Sequence, residues 1–160
     1  MNKVFSIAFA FILSACSSLE LTTSAPLPIV DEVQSITIFS LDNYTDTPQA
    51  GQRASNLIEG VLLSKEFNVV NSIAVKTKSL SDKLRIAGEN GSDYLLTGGV
   101  SEWRYKTGID GEPAISLQCK IIEVDTARVV WSKTASSNDW GNASIGTTAQ
   151  EMITSMFEEE

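Results

Sequence analysis

The amino-acid sequence predicts an α+β (α/β-like) domain: a mixed β-sheet with an antiparallel meander, packed by about three helices. Three observations carry that expectation. Short β-branched runs alternate with segments of helical apolar period in the first half of the domain, three longer strand-like segments follow one another, and one more helical segment closes the chain. A length of 160 residues with 42% apolar content is enough to bury one core without metal or disulfide support.

The chain opens on an address. Lys3 precedes the apolar run Val4 to Leu13, and Leu13-Ser14-Ala15-Cys16 has the form of a lipobox. A run of about ten apolar residues is too short for a helix to cross roughly 30 Å of hydrocarbon, so residues 1–15 read as a cleaved lipoprotein signal peptide. Cys16 then becomes the mature N-terminus. A thioether-linked diacylglycerol and an N-acyl chain on Cys16 supply more than one chain of anchoring, enough for stable residence in a membrane. Ser17, where an Asp would signal inner-membrane retention, points to the outer membrane by the sorting rule of Gram-negative lipoproteins. Residues 16–34, rich in Ser, Thr and Pro, read as a lipid-anchored tether, and 35–160 as the periplasmic globular domain.

Within that domain, Ile36 to Leu41 forms a short strand and Asp42 to Asp46 a polar turn. Thr47-Pro48 offers an N-cap and a first-turn proline. Ala50, Ala54, Leu57, Ile58, Val61 and Leu62 recur at helical spacing up to Glu66, and a second strand lies in Phe67 to Val75. Ser79 caps a helix with apolar Leu80, Leu84 and Ala87 that stops at Asn90-Gly91. Asp93 to Lys106, Ala114 to Asp125 and Val129 to Thr134 are the meander strands, the first two joined by Thr107 to Pro113. Gly98-Gly99 inside the first marks a bulge or a close backbone approach. Ile145, Ala149, Met152, Ile153 and Met156 define the last helix, whose trailing Glu158-Glu159-Glu160 opposes the helix dipole and predicts fraying.

Composition excludes much. With 12 basic and 20 acidic side chains the net charge is −8, against phosphate neutralisation and hence against a nucleic-acid partner. Loss of Lys3 with the leader leaves 11 basic residues and a mature charge of −9. There is no histidine, which removes Ser-His-Asp and Cys-His nucleophiles and His-ligated metals; no metal or cofactor beyond the acyl chains on Cys16 is expected. Cys119 lies in the alternating series Ile115, Leu117, Cys119, Ile121 and reads as a buried strand residue.

Specific stretches resemble a known family. Ala50-Gly51-Gln52-Arg53-Ala54, Gly99 to Lys106 with its Glu-Trp-Arg-Tyr-Lys, Gly108 to Ala114 with its Asp-Gly-Glu-Pro, and Val130-Trp131-Ser132 are similar to the PelC family, outer-membrane lipoproteins of Pel exopolysaccharide secretion. The resemblance spans about Ile36 to Met156. A broader likeness of fold is to the periplasmic domains of the curli secretion channel subunit and of a lipoprotein activator of peptidoglycan synthases. The family implies a non-catalytic, dodecamer-like homo-oligomeric ring on the periplasmic side of the outer membrane. Its acidic surface guides a cationic, partly deacetylated hexosamine polymer to the Pel outer-membrane porin and scaffold in biofilm formation.

Each candidate residue has two readings. Asp110 and Glu112, two apart on a Gly/Pro-bounded loop, are either polymer-guiding acids or solvated carboxylates paired with Arg53 or Arg104. Trp140, alone in a small polar stretch, is either a membrane-interface anchor, as the family implies, or a subunit contact or core cap. Trp103 and Trp131 lie among apolar strand residues and fill core or subunit contacts. Arg53 and Arg104, with Trp103, are inter-subunit candidates or, for the arginines, plain surface charges. The alternative function is a monomeric lipoprotein that activates or scaffolds a periplasmic envelope enzyme. A carboxylate-based glycoside hydrolase needs two carboxyls at a set separation, and no spacing here predicts that cleft.

Overall fold

Ser35–Ile38 is the strand around which the domain is built: all four residues are buried, as befits a parallel strand covered on both faces. The computed structural model describes residues 18–27, 34–77, 79–107, 111–139 and 143–158. In chain order the elements are β1 (Ser18–Thr23), β2 (Ser35–Ile38), β3 (Asp42–Asn43), α1 (Ala50–Ser64), β4 (Asn68–Asn71), α2 (Leu80–Glu89), β5 (Tyr94–Tyr105), β6 (Pro113–Glu123), β7 (Val129–Asn138) and α3 (Ile145–Met156). One seven-stranded mixed sheet runs β1-β7-β6-β5-β2-β4, with β3 beside β5. The expected α+β architecture, with an antiparallel β5-β6-β7 meander and three helices, is what the chain adopts.

Strand β2 pairs in parallel with both β4 and β5. The α1 crossover therefore moves one way across the sheet and the α2 crossover moves back, and two connections of the usual right hand must then use opposite faces. The cores follow. Ile36, Ile38, Leu96, Val100, Leu117, Cys119, Ile121 and Trp131 pack with α1 and α3, whereas Phe39, Leu95 and Ile122 pack with Ala87 of α2. Trp131 stacks on Phe157 at 5.3 Å between ring centroids. Because α2 is short, most of the second face of β5, β6 and β7 is left to polar residues such as Thr97, Gln118 and Thr134, which are partly or fully exposed.

Three expectations change. The stretch assigned to a tether contains β1, which pairs antiparallel with β7 from Ser18↔Asn138 to Thr23↔Lys133 and forms a sheet edge. All six residues of β1 are exposed, so neither composition nor burial signals a strand that backbone pairing alone creates. Second, β7 runs on to Asn138, because Ser136 and Ser137 pair on both sides with β1 and β6. Third, Thr47 and Pro48 do not start α1: Gln49 is the N-cap residue, left-handed at φ 60° and without a side-chain cap. The Thr47 hydroxyl instead donates to the Trp103 carbonyl. Among the described residues no strand follows β3 past Val100 along that side of β5, and a main-chain acceptor there needs a donor from elsewhere.

Ser79 does cap α2, accepting from Asp82 N at 3.4 Å, and Gly91 takes the left-handed stop at φ 72°. Gly98 is a site of close approach: a Cβ there would lie 1.9 Å from the Gln118 carbonyl oxygen. The bulge of β5 falls further on, between Val100 and Glu102. Glu159 and Glu160 lie outside the described residues.

Candidate functional site

The β-ladder brings the termini of four chain segments to one end of the sheet. Ser18 pairs with Asn138, Asn138 pairs with Ala114, and Ala114 pairs with Arg104, so the start of β1, the end of β7 and the β5-β6 hairpin mouth lie side by side at strand spacing. Ser18 Oγ donates to Asn138 Oδ1 at 2.9 Å, closing that corner. The start of α3 joins it, since Ile145 N donates to Tyr105 Oη at 3.0 Å.

Three sequence-predicted residues, Cys16, Asp110 and Trp140, lie outside the described residues. Cys16 is two residues before Ser18, Trp140 two after Asn138 and Asp110 three before Pro113.

Glu112, on the described side of the hairpin, is held within its own subunit. Lys106 N donates to the Glu112 carbonyl at 2.6 Å, and Lys106 Nζ lies 3.7 Å from Glu112 Oε2, with the two side chains 39% and 28% exposed. Within the chain its partner is Lys106, and not Arg53 or Arg104. Arg104 is likewise engaged locally, with Nη2 at 2.7 Å from Glu102 Oε1. Arg53 is exposed on α1 and makes no ion pair among the described residues.

Trp103 and Trp131 are both core residues, 3% and 1% exposed. The β5 bulge explains how Trp103 gets there. Leu96 and Val100 point into the α1/α3 core on even positions, and one extra residue shifts the alternation so that odd Trp103 points the same way. Its indole Nε1 has no hydrogen-bond partner among the described residues. Cys119 is fully buried, and burial pushes its thiol up to about 12, so it is neither a nucleophile nor a thiolate ligand near neutral pH.

Sequence reasoning missed Lys83. It is 2% exposed on α2, with Nζ 3.3 Å from Thr97 Oγ1 and 4.0 Å from Asp42 Oδ1. Its place in the helical period, between Leu80 and Ala87, was the available signal. Among the described residues no cluster of three metal-ligating side chains occurs, and no helix is long and apolar enough to cross a membrane.

No protein-family model and no curated protein matches this chain. Solved structures do. The PelC dodecamer from Paraburkholderia phytofirmans, in a P6 crystal form, superposes with TM-score 0.77 at 28% identity, covering 87% of this chain and 94% of the other. A leucine-to-methionine variant of that dodecamer, in a C2 crystal, gives 0.76 at 28% identity over 86% and 95%. Lipoprotein GNA1162 from Neisseria meningitidis shares the fold at TM-score 0.58 and 18% identity, over 77% and 97%. The chain is PelC-like.

Proposed function

We propose that this PelC-like chain is a non-catalytic, lipid-anchored subunit of a homo-oligomeric ring on the periplasmic face of the outer membrane. Acidic loops of the ring guide a cationic hexosamine polymer of the Pel type to its outer-membrane porin. The single observation that carries the reading is the likeness of the fold to PelC dodecamers, at TM-scores of 0.76 and 0.77 and 28% identity. Strand β1 is hydrogen-bonded into the sheet from Ser18, two positions after Cys16 in the sequence, which supports an anchor that holds that end of the domain toward the bilayer. Trp140 then meets the headgroup region, where an indole with one wet side is stable.

Screening decides which charges can guide. At physiological salt the Debye length is about 8 Å, so the polymer senses carboxylates close to its path and not the net charge of the domain. Glu112 is partly neutralised by Lys106, which leaves Asp110 as the main guiding group and Glu112 as a weaker one. Repetition around a ring sums the field of the loops and raises the local concentration of an amine-bearing chain.

The test has two arms. Sedimentation of the mature chain carrying Cys16→Ser, at rising concentration and low salt, should give a discrete high-order oligomer. A persistent monomer, with or without detergent and the acylated Cys16, would favour the enzyme-activator reading instead. Asp110→Lys in cells should abolish polymer export at normal protein level, and unchanged export would sink the guiding role.

A further inference from the structure

The open face of the sheet, up to the Arg104 end of β5, holds a feature the ring reading does not use. Tyr44, just after β3, is 72% exposed. Its ring nevertheless has a fixed seat: a Cβ on residue 99 would lie 2.5 Å from Tyr44 Cε2, so the ring occupies the space that the missing side chain of Gly99 leaves on β5. One flank of the ring rests on the strand and the rest faces solvent.

Grooves of about 400 and 420 Å³ run along β5 on the two sides of this tyrosine, and Tyr44 and Ser101 line both. Each is within the size range of small-molecule sites. The first is polar, and the β5 bulge makes it so. Val100 and Trp103 both point into the core, so Ser101 and Glu102 between them are both turned toward the open face, and Arg104 follows on the same side. Glu102 and Arg104 form an ion pair at 2.7 Å yet stay 34% and 56% exposed, which leaves guanidinium donors beside carboxylate acceptors. Across the groove stands Asp46, exposed and without an ion pair among the described residues.

We propose that this bulge groove is a saccharide-binding site that holds a hexosamine unit of the exported polymer. The pyranose CH face lies on Tyr44, adjacent ring hydroxyls bond to the Glu102–Arg104 pair, and the amine meets Asp46. The chemistry discriminates against other occupants. A groove lined by a charge pair and by hydroxyls of Ser101 and Ser116 offers little apolar area to a protein side chain, whereas every one of these groups pairs with a hydroxyl or an ammonium. The groove is open along β5 and continues beyond Tyr44 over Gly98, Gly99 and Gln118, a shape that suits consecutive units of a chain. Its charges nearly balance, with Asp42, Asp46 and Glu102 against Lys83, Arg104 and Lys120, so its attraction is local contact and not the long-range field assigned to Asp110. The inference rests on the polysaccharide reading above for its choice of sugar.

The experiment titrates the whole mature chain, Cys16→Ser, with glucosamine tetramer and with N-acetylglucosamine tetramer, by NMR or calorimetry. Glucosamine tetramer should bind, and the Tyr44→Ala and Glu102→Gln variants should each weaken it about tenfold, with Tyr44→Phe restoring affinity. Asp46→Asn should weaken the glucosamine tetramer and spare the acetylated one. Unchanged urea midpoints check the fold, Tyr44 being exposed. Absence of binding by the parent protein, or binding insensitive to Tyr44→Ala, overturns the site. Failure of the ring reading looks different: groove binding persists in a protein that stays monomeric or exports normally with Asp110→Lys. Loss of binding with Asp110→Lys and in about 0.5 M salt, but not with Tyr44→Ala, would assign the contact to the loop field and overturn the groove.

Discussion

Two adjacent glycines of β5 should respond in opposite ways to the same added methyl group. At Gly98 a Cβ would lie 1.9 Å from the Gln118 carbonyl oxygen, 2.9 Å from its carbon and 3.1 Å from the Cys119 α-carbon, all main-chain atoms of β6. To reach even 3.0 Å from the oxygen, the strands must part by about 1.1 Å at that point. That separation breaks ladder bonds worth about 1 kcal/mol each and displaces a strand held by β7 on its other side. With the usual overpacking cost of about 1–3 kcal/mol added, Gly98→Ala should cost about 3–5 kcal/mol. At Gly99 the colliding atoms belong to the exposed Tyr44 ring, which can swing into solvent. Replacing a strand glycine by alanine recovers about 0.5–1 kcal/mol of backbone entropy, so Gly99→Ala should stay within about 1 kcal/mol of the parent. Urea unfolding of the mature chain, Cys16→Ser, followed by circular dichroism reads the contrast. With a slope of about 1–3 kcal/mol/M, the Gly98 variant should lose about 1 M or more in midpoint. Equal midpoints for the two variants, or Gly98→Ala within about 1 kcal/mol of the parent, would refute the steric argument.

Trp131→Ala removes a 1% exposed indole stacked on Phe157 and should cost about 3–5 kcal/mol in the same assay, with near-ultraviolet dichroism lost. Ser79→Ala deletes the cap of α2 and should cost about 1 kcal/mol, visible as a smaller midpoint shift. The Cys119 thiol should stay unreactive to an aromatic disulfide reagent near neutral pH and react only on unfolding. Its folded pKa is raised from 9.0 to about 12, so its contribution is fully present below pH 9 and falls by up to about 1.4 kcal/mol per pH unit between 9 and 12. A Cys119→Ala variant should lack that component of the alkaline slope.

Legibility differed by element for physical reasons. The helices and the meander were readable because each shows an apolar stripe to a core, at 3.6-residue spacing for α1 and α3 and at two-residue spacing for β6. Strand β1 was not readable, since an exposed edge strand has no buried face to impose a period and is made by the donors and acceptors of β7. The Thr47-Pro48 cap signal was locally sound but was overridden when the hydroxyl served an unpaired carbonyl of β5. Of the candidate site, the residue types were legible and their neighbours were not: Glu112 pairs with Lys106, and Arg104 with Glu102.

By itself the sequence determined the fold class, the burial of Cys119, and the chemistry that the absence of histidine excludes. It did so because hydrophobic period and composition are local properties, each strand or helix reporting its own buried face. Only the tertiary structure decided that β1 belongs to the sheet and that a bulge turns Trp103 into the core and Ser101 and Glu102 out beside Tyr44. Those are matters of ladder register, which joins residues more than a hundred positions apart and leaves no period in the chain to read.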